Sequence, residues 1–138
     1  MKIAMITSEA NPLCKSGGLA DVAYSFTREL NASKEEAIIV LPYYKSIKNK
    51  KLDVTYLGFT YIDMSWRHQY VGLFKTTIDG IEYYLVDNEY YFNRDSLYGY
   101  DDDNERFAYF SLASLAILKL ISFKPDIVHV HDWQGGMI

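Results

Sequence analysis

The chain has 138 residues, 49% of them hydrophobic and 23% charged, with a formal net charge of -4 at pH 7. That make-up suits one folded domain with a sizeable core and argues against a disordered chain. No apolar run approaches the roughly 20 residues that span a bilayer, Met1-Lys2 enters a strand with no signal-peptide core, and the acidic balance argues against a nucleic-acid binder. Neither nucleic acid nor membrane is expected as a partner, and the cytoplasm is the expected compartment.

Lys2 to Thr7 reads as a buried strand, followed by a loop over Ser8 to Gly17 that Asn11-Pro12 interrupts. From Gly18 a helix is predicted to end near Asn31. Leu19, Val22, Ala23, Phe26 and Leu30 lie at helical spacing on one face, leaving Asp21, Ser25, Arg28 and Glu29 for the other. Ala37-Ile38-Ile39-Val40-Leu41, closed by Pro42, suits a parallel strand covered on both sides. Strand, helix and strand make a βαβ unit, whose ligands bind off the carboxyl ends of the strands. Lys45 to Lys51 is the one basic cluster, either a solvated loop or a seat for an anionic partner.

Val54 to Asp63 and Gln69 to Ile78 are rich in Tyr, Val, Thr and Phe, and Asp79-Gly80 is a two-residue hairpin turn into Glu82 to Val86. These antiparallel strands form an inserted or edge meander. Asp102 to Glu105 has the form of a capping box ahead of a helix over Phe107 to Ile121, apolar on nearly every side and therefore buried. After Pro125, Asp126 to His131 is a further strand, parallel to the first. Met137-Ile138 falls where a doubly wound fold begins its next helix, so the chain reads as stopping in mid-unit, a piece of something longer. The fold class is α/β: a Rossmann-like, doubly wound, mostly parallel sheet with an antiparallel meander.

Chemistry concentrates at Lys15-Ser16-Gly17-Gly18-Leu19-Ala20-Asp21, between the first strand and the first helix. Bare main-chain amides at Gly17 and Gly18, the positive end of the helix and the Lys15 amine together attract a phosphate-bearing ligand. The spacing matches neither the P-loop nor the Gly-x-Gly-x-x-Gly dinucleotide fingerprint. His129-Val130-His131 puts two imidazoles on one face of a strand. They are either part of a metal site short of ligands, or one core histidine with His131 donating hydrogen bonds into a cleft. Asp102 is either a helix cap with Glu105 as its reciprocal partner or a cleft residue. Cys14, the single cysteine, allows no internal disulfide and is expected as packing, and of the 13 tyrosines one or two are expected to touch a substrate.

Ser8-Glu9 followed by Pro12, Lys15 through Val22, Asn93-Arg94, Asp102 through Phe107 and His129-x-His131-Asp132-Trp133 together resemble the N-terminal part of the bacterial glycogen synthase and plant starch synthase family. The resemblance runs from first residue to last. It implies an incomplete N-terminal lobe of a GT-B fold, with residues 1–138 forming the front of the acceptor-side lobe and the C-terminal donor-binding lobe absent. The implied activity is transfer of glucose from ADP-glucose to the non-reducing end of an α-1,4-glucan with retention of configuration. Another GT-B transferase using UDP-glucose, or a non-catalytic glucan-binding module, is the alternative. The implied roles give Lys15, Gly17 and Gly18 to donor binding and His131, Asp102 and Asp21 to catalysis, with no metal and no cofactor beyond the sugar nucleotide as substrate. Ser16 replaces the usual Thr, and Asp103 replaces a frequent Asn, so either Asp102 or Asp103 faces the cleft. The fragment alone is expected to be inactive.

Overall fold

The computed structural model describes residues 1–136 and 138. Strands β1 (Lys2–Ile6), β2 (Glu36–Pro42), β3 (Thr55–Met64), β4 (Arg67–Ile78), β5 (Ile81–Asp87) and β6 (Ile127–Val130) form one six-stranded sheet in the order β3-β4-β5-β2-β1-β6. β1 pairs in parallel with β2 and β6, and β2 with β5, while β4 runs antiparallel to both β3 and β5. The expected doubly wound, mostly parallel sheet with an antiparallel meander is therefore the observed one, and β5 belongs to both parts.

The parallel strands form because their apolar runs do not alternate: Ala4, Met5 and Ile6 on β1 and Ile39, Val40 and Leu41 on β2 are fully buried on both faces. Helix α1 (Gly18–Ala32) links β1 to β2, and a single turn, α2 (Lys45–Lys48), follows β2. The segment from β5 to β6 carries the short α3 (Glu89–Phe92) and then α4 (Asp103–Leu120), crossing the sheet in the opposite direction. Right-handed crossovers then put α1 and α4 on opposite faces. α4 is buried nearly all round, through Phe107, Tyr109, Phe110, Ala113 and Ile117. Its two core serines return their hydroxyls to the helix, Ser111 Oγ donating to Phe107 O at 2.9 Å and Ser114 Oγ to Phe110 O at 2.7 Å.

Three local expectations are corrected. α1 faces the sheet through Ala20, Ala23 and Thr27, small residues that admit a close approach, while Val22 and Phe26 are exposed. The basic cluster includes a short helix, α2 (Lys45–Lys48), in which Lys45 meets Asp95 at 2.9 Å and Lys48 meets Asp87 at 2.8 Å. Those charges are matched within the chain rather than held for an anion. Asp102 occupies the N-cap position of α4 without a side-chain capping bond, so the capping box does not form. The Asp79-Gly80 turn has φ of 52° and 76°, the left-handed pair a two-residue hairpin requires.

Candidate functional site

The carboxyl ends of β1 and β6 lie side by side: Ile6 is opposite Val130, and the His131 N–H donates to Ile6 O at 3.0 Å. The loop after β1 and the residues after β6 therefore share one edge of the sheet. The loop before α4 is tied to the same edge, since the Tyr98 hydroxyl lies 2.6 Å from Ser8 Oγ and donates to Glu9 at 2.7 Å. Tyr44 and Tyr83 add a floor, their hydroxyls donating at 2.7 Å to Ser8 O and Asn11 O.

Glu9 organises this loop. Its carboxylate, buried in the loop interior, accepts from Ser16 Oγ at 2.6 Å, from the Ser16 N–H at 3.3 Å, from the Gly17 N–H at 3.1 Å and from Tyr98. Burial pushes its pKa upward, but the hydrogen bonds from Ser16, Tyr98 and the Ser16 and Gly17 amides outweigh that, so the carboxyl sits below its ordinary value. The expectation that the Gly17 amide stands bare for a ligand is thus corrected: it already serves an internal anion. Donors remain one residue further on. α1 begins at Gly18 with no side-chain cap, leaving its first-turn N–H groups without intrahelical acceptors. A Cβ at Gly17 or Gly18 would meet nothing within 4 Å, so the approach to those amides is open.

Lys15 and Asp21 come together, with Nζ 2.7 Å from Oδ2 and both side chains half exposed. The Asn11 side-chain amide donates to the other Asp21 oxygen. An ion pair this exposed adds at most about 1 kcal/mol to stability; its larger effect is to hold the amine over the start of α1. His131 is buried, and its Nε2 has no protein partner. Its ring stacks on His129 at 4.5 Å, and His129 in turn meets Phe26 edge-on at 5.5 Å. Burial first, and the neighbouring His129 second, lower the pKa of His131, so at neutral pH it is an uncharged imidazole. His129 is only half-buried, on the same strand face, so the expected core histidine beside His131 is corrected.

Asp102 is held by Arg94, whose Nη2 donates to Oδ2 at 2.7 Å while Nη1 serves the other oxygen. That guanidinium keeps the Asp102 carboxyl below the usual carboxylate range. Asp103 turns the other way. It accepts from Arg106, a fully buried arginine that also donates to Tyr91 O and Leu97 O. Of the adjacent carboxylates, Asp102 is the more accessible, with 32% of its side chain exposed against 18% for Asp103. Among the described residues no hydrogen bond joins Asp102 or His131 to the Lys15–Asp21 pair, and no group of three or more His, Cys, Asp and Glu is placed to hold a metal. Cys14 is buried, and its thiol is pushed up to about 12 by burial, which makes it packing. Glu9, Tyr98 and Arg106 carry no sequence signal as a network, because their partners are far apart in the chain or lie on the main chain.

The profile described as the starch synthase catalytic domain matches residues 2–138. The chain is 44% identical over 139 aligned residues to a glycogen synthase of Clostridium botulinum and 48% identical to one of Bacillus cereus, in each case over 100% of this chain and 29% of the relative. It thus spans under a third of the length of those relatives. Among solved structures, the catalytic domain of starch synthase IV from Arabidopsis thaliana, bound to ADP and acarbose, superposes with a TM-score of 0.90 at 29% identity, over 98% of this chain and 28% of that one. With the sheet order, the loop after β1 and the two histidines at the end of β6 all in place, the chain belongs to the starch synthase catalytic domain family.

Proposed function

We propose that residues 1–138 are the front of the N-terminal, acceptor-side lobe of a GT-B glucosyltransferase. The enzyme transfers glucose from ADP-glucose to the non-reducing end of an α-1,4-glucan with retention of configuration, in the cytoplasm, and a C-terminal lobe supplies the rest of the donor site. What supports this reading is that the loop carrying Lys15 and leading to the uncapped start of α1 leaves the carboxyl end of β1, beside the end of β6 after which the unpartnered His131 follows. The relative bound to ADP and acarbose supports a nucleotide and an α-linked sugar as the ligands.

As the bond from the sugar to the diphosphate breaks, negative charge gathers on the leaving phosphate and positive charge on the anomeric carbon. The Lys15 amine and the Gly18-side amides stabilise the former. A neutral His131 offers its imidazole to a hydroxyl of the transferred glucose without adding positive charge beside the cationic carbon. Asp21 positions Lys15. Asp102 and Arg94 form a paired, pre-oriented carboxylate and guanidinium on the acceptor side.

In a longer protein carrying this chain and a second lobe, Lys15→Ala lowers kcat/KM for ADP-glucose by about 10²-fold, as expected for a lost charge-stabilising donor, while the 138-residue chain alone extends no maltooligosaccharide. Sustained extension by the chain alone refutes its dependence on a second lobe. Undiminished transfer by Lys15→Ala refutes the placement of the phosphate. Preference for UDP-glucose over ADP-glucose in competition would reassign the donor.

A further inference from the structure

β4 outruns β5: the last pair between them is Gly72 with Asp87, whereas β3 and β4 continue to pair as far as Met64 with Arg67. β3 runs in the same direction as the parallel strands, so the end of the β3–β4 hairpin projects beyond their carboxyl edge, the edge that carries the candidate site. One face of this projection packs towards α4. The other presents Phe59, Tyr61 and Asp63 on β3 and His68, Tyr70 and Gly72 on β4. The three large rings are exposed, Phe59 by 53%, Tyr61 by 50% and Tyr70 by 37%.

The rings form one connected strip. Phe59 stacks on Tyr70 at 5.8 Å, and Tyr61 stacks on His68 at 4.8 Å with 13° between planes. Gly72 has a specific part in it. A Cβ there would lie 2.8 Å from the Tyr70 hydroxyl and 3.0 Å from its ring, so the absent side chain lets Tyr70 lie down across the strand. A contiguous exposed aromatic surface at the end of a hairpin marks a binding face rather than a packing accident.

We infer that this strip is a track for an α-linked glucan chain, engaging sugar units away from the reacting end; the inference rests on the proposed function for its choice of ligand. No Lys or Arg stands among the six residues of the strip, whose outer carboxylate, Asp63, lies 2.7 Å from His68 Nδ1. At its inner end the Lys48 ammonium is already paired at 2.8 Å with Asp87, opposite Gly72, so an anionic polymer finds no free counter-charge on this face. The strip has no aliphatic side chain to interdigitate with a protein core. What it offers is flat apolar rings for the C–H faces of sugars, bordered by tyrosine hydroxyls, an imidazole and a carboxylate for their hydroxyls. Edge pairing with a second copy along β3 is opposed by the register shift between Tyr56 and Gly58, which interrupts the edge.

The test is a titration of the isotopically labelled chain with maltohexaose, followed by backbone amide shifts, with cellohexaose as the β-linked control. Saturable shifts over residues 59–72 are expected with maltohexaose and are weaker with cellohexaose. The Phe59→Ala/Tyr61→Ala double variant, its fold checked by an unchanged melt, weakens binding by at least about tenfold through the loss of two stacking surfaces. Lys15→Ala leaves the hairpin shifts in place. Three results would overturn the track: shifts confined to the loop after β1 and to His131, undiminished affinity in the double variant, or a concentration-dependent dimer abolished by the same two substitutions. The first of these leaves the proposed function standing. Hairpin shifts alongside a longer protein that transfers no glucose would instead refute the proposed function and keep the track.

Discussion

Tyr83 on β5 is fully buried and Tyr61 on β3 is half exposed, although only β4 separates their strands. The difference lies in how many faces of each part of the sheet are covered. Around β1, β2 and β5 both faces are covered, so an aromatic ring there is core. On β3 and the free end of β4 one face packs towards α4 and the other is open, so alternate residues turn outward whatever their polarity. The same composition thus builds a core in one half and a surface in the other. Tyrosine suits the second role because it combines a flat apolar ring with a hydroxyl that stays solvated.

The sharpest way to break this comparison is a matched pair of truncations. Phe110, fully buried on α4, costs about 3–5 kcal/mol when replaced by Ala, by the lost transfer energy and the cavity left behind. Phe59→Ala, on the open face, removes only a cross-strand contact and costs less than about 1 kcal/mol. Urea midpoints measure both. Equal losses would mean that the open face is covered in solution and that the two halves do not differ.

Glu9→Ala is the next largest effect and probes the site end of the parallel half. It strands the Ser16 and Gly17 amides and the Tyr98 hydroxyl, and loss of charge-assisted bonds of this kind costs about 2–3 kcal/mol. It also has a pH signature. The folded carboxyl titrates below its ordinary value of 4.5, so the unfolded chain takes up a proton first as acid is added. The contribution of Glu9 is therefore complete above that value, declines as the pH falls through it, and is lost once the folded carboxyl is protonated. Urea midpoints of the parent chain and Glu9→Gln, compared between about pH 6 and pH 3, converge towards acid; parallel curves would show that Glu9 is not held as a carboxylate.

Much of this was legible from the residues. Continuous apolar runs located β1, β2 and β6, and Asp79-Gly80 located the β4–β5 turn, because those signals are local. The rotation of α1 was not legible. Val22 and Phe26 outweigh Ala20 and Thr27 in any hydrophobicity pattern, yet close packing on a sheet selects the small residues. At the candidate site, the strand-to-helix context singles out Lys15 and Gly18 and the end of the last strand singles out His131, but the capture of the Gly17 amide by Glu9 was not legible. A single carboxylate in a loop has no periodicity, and its partners are main-chain groups that sequence does not distinguish. At Asp102, which read equally as a cap or as a cleft residue, the capping-box spacing is present, but Arg94 offers a bidentate charged partner in place of uncharged amides.

The smallest predicted effect separates the two causes of the lowered pKa of His131. Burial is the larger and the positive charge of a protonated His129 the smaller. His129→Gln removes only the second, so in an imidazole-detected NMR titration His131 moves up yet stays below its ordinary 6.5. Stability follows the same sign. An unfolded chain protonates this histidine more readily than the folded one, so stability is full above that ordinary value and declines as the pH falls below it. In His129→Gln the decline is shallower but persists. A His131 that titrates at or above its ordinary value in both proteins would show that its ring is solvated, and a neutral imidazole turned towards the sugar would then no longer describe the site.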